Sequence, residues 1–72
     1  MQLTVSEKIK ILIKRKNMTL AQLAEQTGQS RQNFSNKMSR DNFSEKEMLE
    51  ISAALDMDLV IKFIDKNTGE EI

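Results

Sequence analysis

Cysteine and histidine are both absent from this chain of 72 residues. Without cysteine there is no disulfide framework and no thiolate metal site, and a reducing compartment fits. Without histidine the commonest transition-metal ligand and the commonest general base are missing as well. No glycine-rich phosphate loop occurs, and no serine has a His or Lys arranged beside it in a catalytic motif, so an enzyme is not expected. No metal or cofactor is called for either. Asp56 and Asp58, two carboxylates near a helix end, read as solvated rather than as a cation site. No apolar run approaches the roughly 20 residues that span a bilayer. The start, Gln2-Leu3-Thr4, has no basic region ahead of an apolar one, so no signal peptide is expected and the expected location is cytoplasmic. A chain this short makes one domain, 1–72, with a modest core that oligomerisation would help.

The net charge is zero, 11 cations against 11 anions, but it divides sharply by position. Residues 1–40 hold eight cations and two anions, net +6, whereas residues 41–72 hold three cations and nine anions, net −6. Such asymmetry points to a polyanionic partner for the first half, with the acidic half turned away.

The pattern of apolar residues gives four helices. Thr4 with Glu7 forms a capping box for a helix over about Val5 to Lys16, with Val5, Ile9, Leu12 and Ile13 on one face and Ile11 off it. Thr19 with Gln22 caps a second helix whose inner face is Leu20, Leu23 and Ala24, and Gly28 supplies a left-handed residue at its end. Ser30 caps a third helix to about Ser39, with Phe34 and Met38 inward. Ser44 with Glu47 is another capping box, Phe43 can staple onto Met48, and the fourth helix ends near Asp56. The period then shifts to two. Asp58 to Ile64 reads as a strand, Asp65 to Gly69 as a turn, and Glu70 to Ile72 as a short return strand. The fold class is mainly α, with a helical part of about 4–56 and a C-terminal strand or hairpin of about 58–72.

The third helix carries the chemistry. Ala24 and Gly28, small and four apart, allow the second and third helices to cross closely in a helix-turn-helix, which projects the first turn of the third helix. Glutamine and asparagine offer one donor and one acceptor, matching adenine, while arginine matches the two acceptors of guanine. The amides at the starts of the second and third helices can hold phosphates.

The spacing Thr19-x-x-x-Leu23-Ala24-x-x-x-Gly28-x-Ser30-x-x-x-Phe34-Ser35 resembles the helix-turn-helix signature of lambda-repressor-like (XRE) DNA-binding regulators. The resemblance covers about residues 5–57 and implies a four-helix domain that binds double-stranded DNA and regulates transcription. It implies base readout in the major groove by Arg31, Gln32, Asn33 and Asn36, and backbone contacts from Thr19, Ser30, Lys37, Ser39 and Arg40. Two positions depart from the family's pattern. Leu20 stands where the family often has a phosphate-bracing Gln, and Lys37-Met38 replaces an apolar residue followed by Glu, so the core under the third helix should pack differently.

The terminal strand can cover the core through Leu59, Ile61 and Phe63, and can pair with a second copy. A homodimer interface of Leu59, Val60, Ile61, Phe63 and Ile64 is therefore expected. The alternative is a protein-interaction module, antitoxin-like or a phage accessory protein, that keeps the fold and acts through a partner. A mobility shift with nonspecific competitor separates the two. No membrane partner is expected, and no small-molecule effector is identifiable.

Overall fold

The structure, a computed structural model, describes residues 2–72. Its helices are α1 (Val5–Arg15), α2 (Leu20–Gln26), α3 (Arg31–Arg40) and α4 (Glu45–Ala54). No helix among the described residues is long and apolar enough to cross a membrane. Each helix start is held by the residue that the sequence marks. Thr4, Thr19 and Ser44 accept from the amides of Glu7, Gln22 and Glu47, and those side chains accept in return from the cap amides, completing three capping boxes. Ser30 accepts from the Asn33 amide at 3.1 Å as a simple cap, without a reciprocal bond to the Asn33 side chain.

The helix ends share one device. Asn17, Gly28, Asp41 and Asp56 all have positive φ. In each case the next amide reaches back five residues, as in Met18 N–H to Ile13 O at 2.8 Å and Gln29 N–H to Ala24 O at 2.9 Å. Asn42 to Lys37 at 3.2 Å and Met57 to Ser52 at 2.9 Å repeat the pattern. These are Schellman closures, which satisfy carbonyls that a helix end leaves open. Gly28, at φ 73°, closes α2 just before the turn into α3.

The core is Ile9, Leu23, Ala24, Phe34, Met38, Ile51 and Leu55, with one or two residues from each helix. Leu23, Ala24 and Phe34 have 0% exposure, so the α2–α3 junction is its driest part. Met38 lies in the core, with Leu20 packed at its margin, and these two departures from the family pattern are thereby absorbed as apolar packing. The Phe34 and Phe43 rings meet at 5.7 Å, tilted by 52°, and tie α3 to the approach to α4. Phe43, the residue the sequence offers as a staple ahead of α4, is thus half-buried against this core. Ile11, off the α1 stripe, is exposed.

One polar contact closes the bundle. Ser6 is buried, and its Oγ lies 2.8 Å from both the Met38 carbonyl and Asp41 Oδ1. The Ser6 amide donates to the same Asp41 oxygen at 2.8 Å. Asp41 therefore places a carboxylate at the first turn of α1 while holding the left-handed residue that ends α3.

The C-terminal segment corrects the sequence reading in its details. Residues 58–62 form no regular strand. The ladder is one antiparallel bridge, Ile64 with Glu71, flanked by reciprocal Phe63–Ile72 bonds at 3.0 Å. A strand needs a partner of equal length, and residues 70–72 are too short to pair further. The turn itself is well made, with Asp65 Oδ1 accepting from the Asn67 amide at 2.8 Å and Gly69 at φ 76°. Phe63 does not cover the core, being 79% exposed, while Leu59 is half-buried and Ile61 largely exposed beside α1 and α4. The radius of gyration, 13.6 Å, exceeds the ~11 Å expected of a compact chain of this length, in keeping with a hairpin that stands off the helices.

The Asp41 contact separates shape from charge. Asp41→Asn keeps the Oδ1 acceptor and tolerates a left-handed backbone, whereas Asp41→Ala keeps neither advantage. Urea unfolding should show Asp41→Ala less stable by about 1–3 kcal/mol and Asp41→Asn by less than about 1 kcal/mol. Equal losses would mean that the carboxylate charge, rather than the acceptor, holds α1 to α3.

Candidate nucleic-acid interface

Because Phe34 and Met38 point into the core, the remaining faces of α3 are left to solvent. Arg31, Gln32, Asn33, Ser35, Asn36, Ser39 and Arg40 are all exposed. The four residues expected to read bases lie within the first two turns of the helix, on its outward sides. Gln32 Nε2 donates to Asn36 Oδ1 at 3.2 Å, one turn along the same face. That bond fixes the two amides relative to each other and leaves an acceptor on Gln32 and a donor on Asn36 for another molecule.

The expected backbone-contact residues fall into three kinds of setting. Thr19 and Ser30 are helix caps whose hydroxyl oxygens accept from amides, which leaves each hydroxyl hydrogen free to be donated. Ser39 and Arg40 are exposed at the far end of α3. Lys37 differs, being half-buried, with its ammonium paired to Glu47 at the start of α4.

A polar groove runs beside α3, lined by Asn33, Asn36, Lys37, Arg40, Asn42, Ser44, Glu47 and the edge of Phe43. Glu47 divides its two oxygens within it. Oε1 accepts from the Ser44 amide at 3.0 Å as half of a capping box, and Oε2 accepts from Lys37 Nζ. The Lys37 ammonium, followed by the Ser44 amide, holds the Glu47 carboxyl far below its ordinary value, at about 2. Glu7 is likewise lowered, by hydrogen bonds from the Thr4 backbone and side chain. Among the described residues no ion pair engages Arg31 or Arg40.

The helix starts differ in charge. The first turns of α1 and α4 carry their own acids, Glu7 in one and Glu45 with Glu47 in the other. Those of α2 and α3 carry none. A helix N-terminus bears partial positive charge, so acids there stabilise the helix and compete with an external anion. The two starts that a helix-turn-helix would turn toward phosphates are the two left without acids.

A family model of the Cro/C1-type HTH DNA-binding domain matches residues 8–60. The chain belongs to that family. No curated protein and no solved structure matches it. As a Cro/C1-type domain it is a DNA-binding helix-turn-helix, and α2, the Gly28 turn and α3 form the motif. The match begins within α1, runs through α2, α3 and α4, and stops before the Ile64–Glu71 bridge, so the hairpin lies outside the matched region.

Sequence reasoning missed two members of this surface. Glu47 was legible as a cap partner, yet its second oxygen meets a lysine ten residues back, on another helix. Asn42 read only as a loop residue, and it enters the groove because the α3 closure turns the chain there.

The Glu47 setting gives a pH dependence with a definite sign. A carboxyl whose folded pKa lies below the unfolded one contributes stability above the unfolded pKa, near 4.5, and loses it as pH falls toward about 2. Thermal melts between neutral pH and this acid window should fall more steeply for the native chain than for Glu47→Gln. Parallel curves would show that Glu47 is not held ionised by the fold.

Proposed function

We propose that this chain is a sequence-specific transcriptional regulator that binds double-stranded DNA as a homodimer and acts by occupying its site, with α3 in the major groove. The observation that carries the reading is the two-sided nature of α3, whose apolar residues are buried while Arg31, Gln32, Asn33 and Asn36 stand exposed together. Arg31 suits guanine O6 and N7. The linked Gln32–Asn36 pair suits adenine, its free acceptor meeting N6–H and its free donor meeting N7. Thr19, Ser30, Ser39 and Arg40 supply backbone contacts that set register rather than sequence. Lys37, half-buried on Glu47, is the least accessible of the proposed backbone residues.

The linked pair makes the test specific. Fragments selected from randomised duplex DNA should define a preferred site. On that site Arg31→Ala and Gln32→Ala should each cost about 1–3 kcal/mol and relax preference at one base pair. Asn36→Ala should cost less in the Gln32→Ala background than in the native chain, since the two amides act as one unit. Intact affinity and preference in Arg31→Ala and Gln32→Ala would remove α3 as the reading element.

Support for the homodimer comes from the C-terminal segment. Val60, Ile61, Phe63, Ile64 and Ile72 are all exposed apolar side chains, with half-buried Leu59 beside them. Phe63 exchanges both backbone bonds with Ile72, and the Asp65 amide donates to Glu70, so Ile64 between them directs its backbone groups to the open edge. A strand extended back to residue 60 on dimerisation would add Lys62 and Val60 to that edge. Pairing of two such edges across a two-fold axis would satisfy both and cover the apolar groups. It would also set two copies of α3 on half-sites about 34 Å apart, one turn of DNA. Val60→Pro removes a donor from that edge and should shift the chain to monomer in sedimentation at micromolar concentration. A native chain that sediments as a monomer both free and on DNA would reject the dimer and leave DNA binding standing.

A further inference from the structure

We propose that Glu47 tunes the strength of the DNA-binding face: by holding the Lys37 ammonium it withholds one cation from the phosphate backbone. The effect is weaker attraction to all DNA, with the base-reading side chains left untouched. The inference rests on α3 facing DNA, as proposed above.

The geometry makes Glu47 a fixed partner rather than a passing one. Its backbone amide donates to Ser44 Oγ at 3.2 Å, and its Oε1 accepts from the Ser44 amide at 3.0 Å. The carboxylate is therefore pinned at the start of α4, with Oε2 turned to Lys37. Lys37 lies on α3 among Asn33, Asn36 and Arg40, the lining of the groove beside the reading face. Arg31 and Arg40 have no such acid partner among the described residues.

Capping alone does not call for a charge. A capping box closes with Gln as well as Glu, and this chain uses Gln22 for that purpose at α2. At α4 the same position carries Glu47, and the added charge goes to the one α3 lysine.

The thermodynamic consequence follows from counterions. A free lysine that neutralises a phosphate releases about 0.9 of a condensed cation. A lysine that stays paired with a carboxylate neutralises no phosphate and releases no condensed cation. Lys37 then adds nothing to the salt-dependent, sequence-independent part of binding. A phosphate contact is made on every sequence alike, so its loss lowers specific and nonspecific affinity together and leaves base preference to the reading side chains.

The test uses the full chain and a random-sequence duplex about two helical turns long, with binding followed by anisotropy between about 50 and 200 mM salt. Glu47→Gln keeps the capping oxygen and removes the charge. It should steepen the salt slope by about 0.9 and tighten binding about three- to fourfold at the low-salt end relative to the high-salt end. Lys37→Ala should leave the slope unchanged in the native chain and lower it by about 0.9 in the Glu47→Gln background. A slope lowered by Lys37→Ala in the native chain, or unmoved by Glu47→Gln, would overturn the proposal. Should Glu47→Gln unfold, the Lys37→Ala arm in the native chain still decides. Arg40→Ala separates this failure from the larger one. If Arg40→Ala lowers the slope and Lys37→Ala does too, only the masking is wrong, whereas no effect of Arg40→Ala rejects α3 as the DNA face and this proposal with it.

Discussion

Phe34 is the side chain on which the rest of the molecule depends. It is enclosed with Leu23 and Ala24 where α2 and α3 cross, and Phe43 leans on it from the chain leading into α4. Removing a buried aromatic ring typically costs about 3–5 kcal/mol. A domain this small holds only a few kcal/mol of stability in total. The helix crossing that presents α3 and the stability of the fold are therefore one quantity. Ala24 lets the helices approach, and Gly28 turns the chain between them at positive φ, where the backbone conformation rather than any crowding of a side chain calls for glycine.

Local features of the fold were legible because local chemistry decides them. A capping box links residues three apart, so Thr4–Glu7, Thr19–Gln22 and Ser44–Glu47 can be read off the chain, and all three form. The apolar stripes likewise found Ile9, Leu23, Ala24, Phe34 and Met38. Helix ends were harder. Gly28 announces a left-handed residue, but Asn17, Asp41 and Asp56 adopt the same conformation and look like ordinary polar residues in sequence. Asp41 shows why. Its φ and its side chain are justified together by Ser6, 35 residues away, and nothing near Asp41 advertises that partner.

The C-terminal segment shows the opposite failure, a strong local signal without a structural answer inside one chain. Alternating β-branched residues over 58–64 predict a strand, and strand character has value only when an edge of matching length is present. Residues 70–72 provide one bridge, and the apolar side chains stay exposed. The exposed arrangement of Arg31, Gln32, Asn33 and Asn36 was legible, since it needs only the phase of α3 relative to Phe34. The Lys37–Glu47 pair was not, because it depends on how α4 packs against α3.

Charge placement is where stability and function pull apart. Acids in a first turn stabilise a helix by about 0.3–1 kcal/mol each, and α1 and α4 use them. The helices α2 and α3 forgo that gain, and α2 closes its capping box with neutral Gln22 where a glutamate would fit equally well. On the proposed DNA face an acid would repel phosphate on every sequence alike, so its absence there favours binding at the expense of the free fold. Glu47 and Asp41 are the informative exceptions, acidic residues from the net-negative half brought against the basic half. Asp41 meets the start of α1 and Glu47 meets Lys37, so the two halves of the chain do not separate cleanly into a basic and an acidic side. An acid set against the one half-buried lysine of α3 can subtract from its pull on phosphate without standing in front of Arg31 or Gln32. That placement sets how tightly any DNA is held and leaves the choice among sequences to the reading side chains.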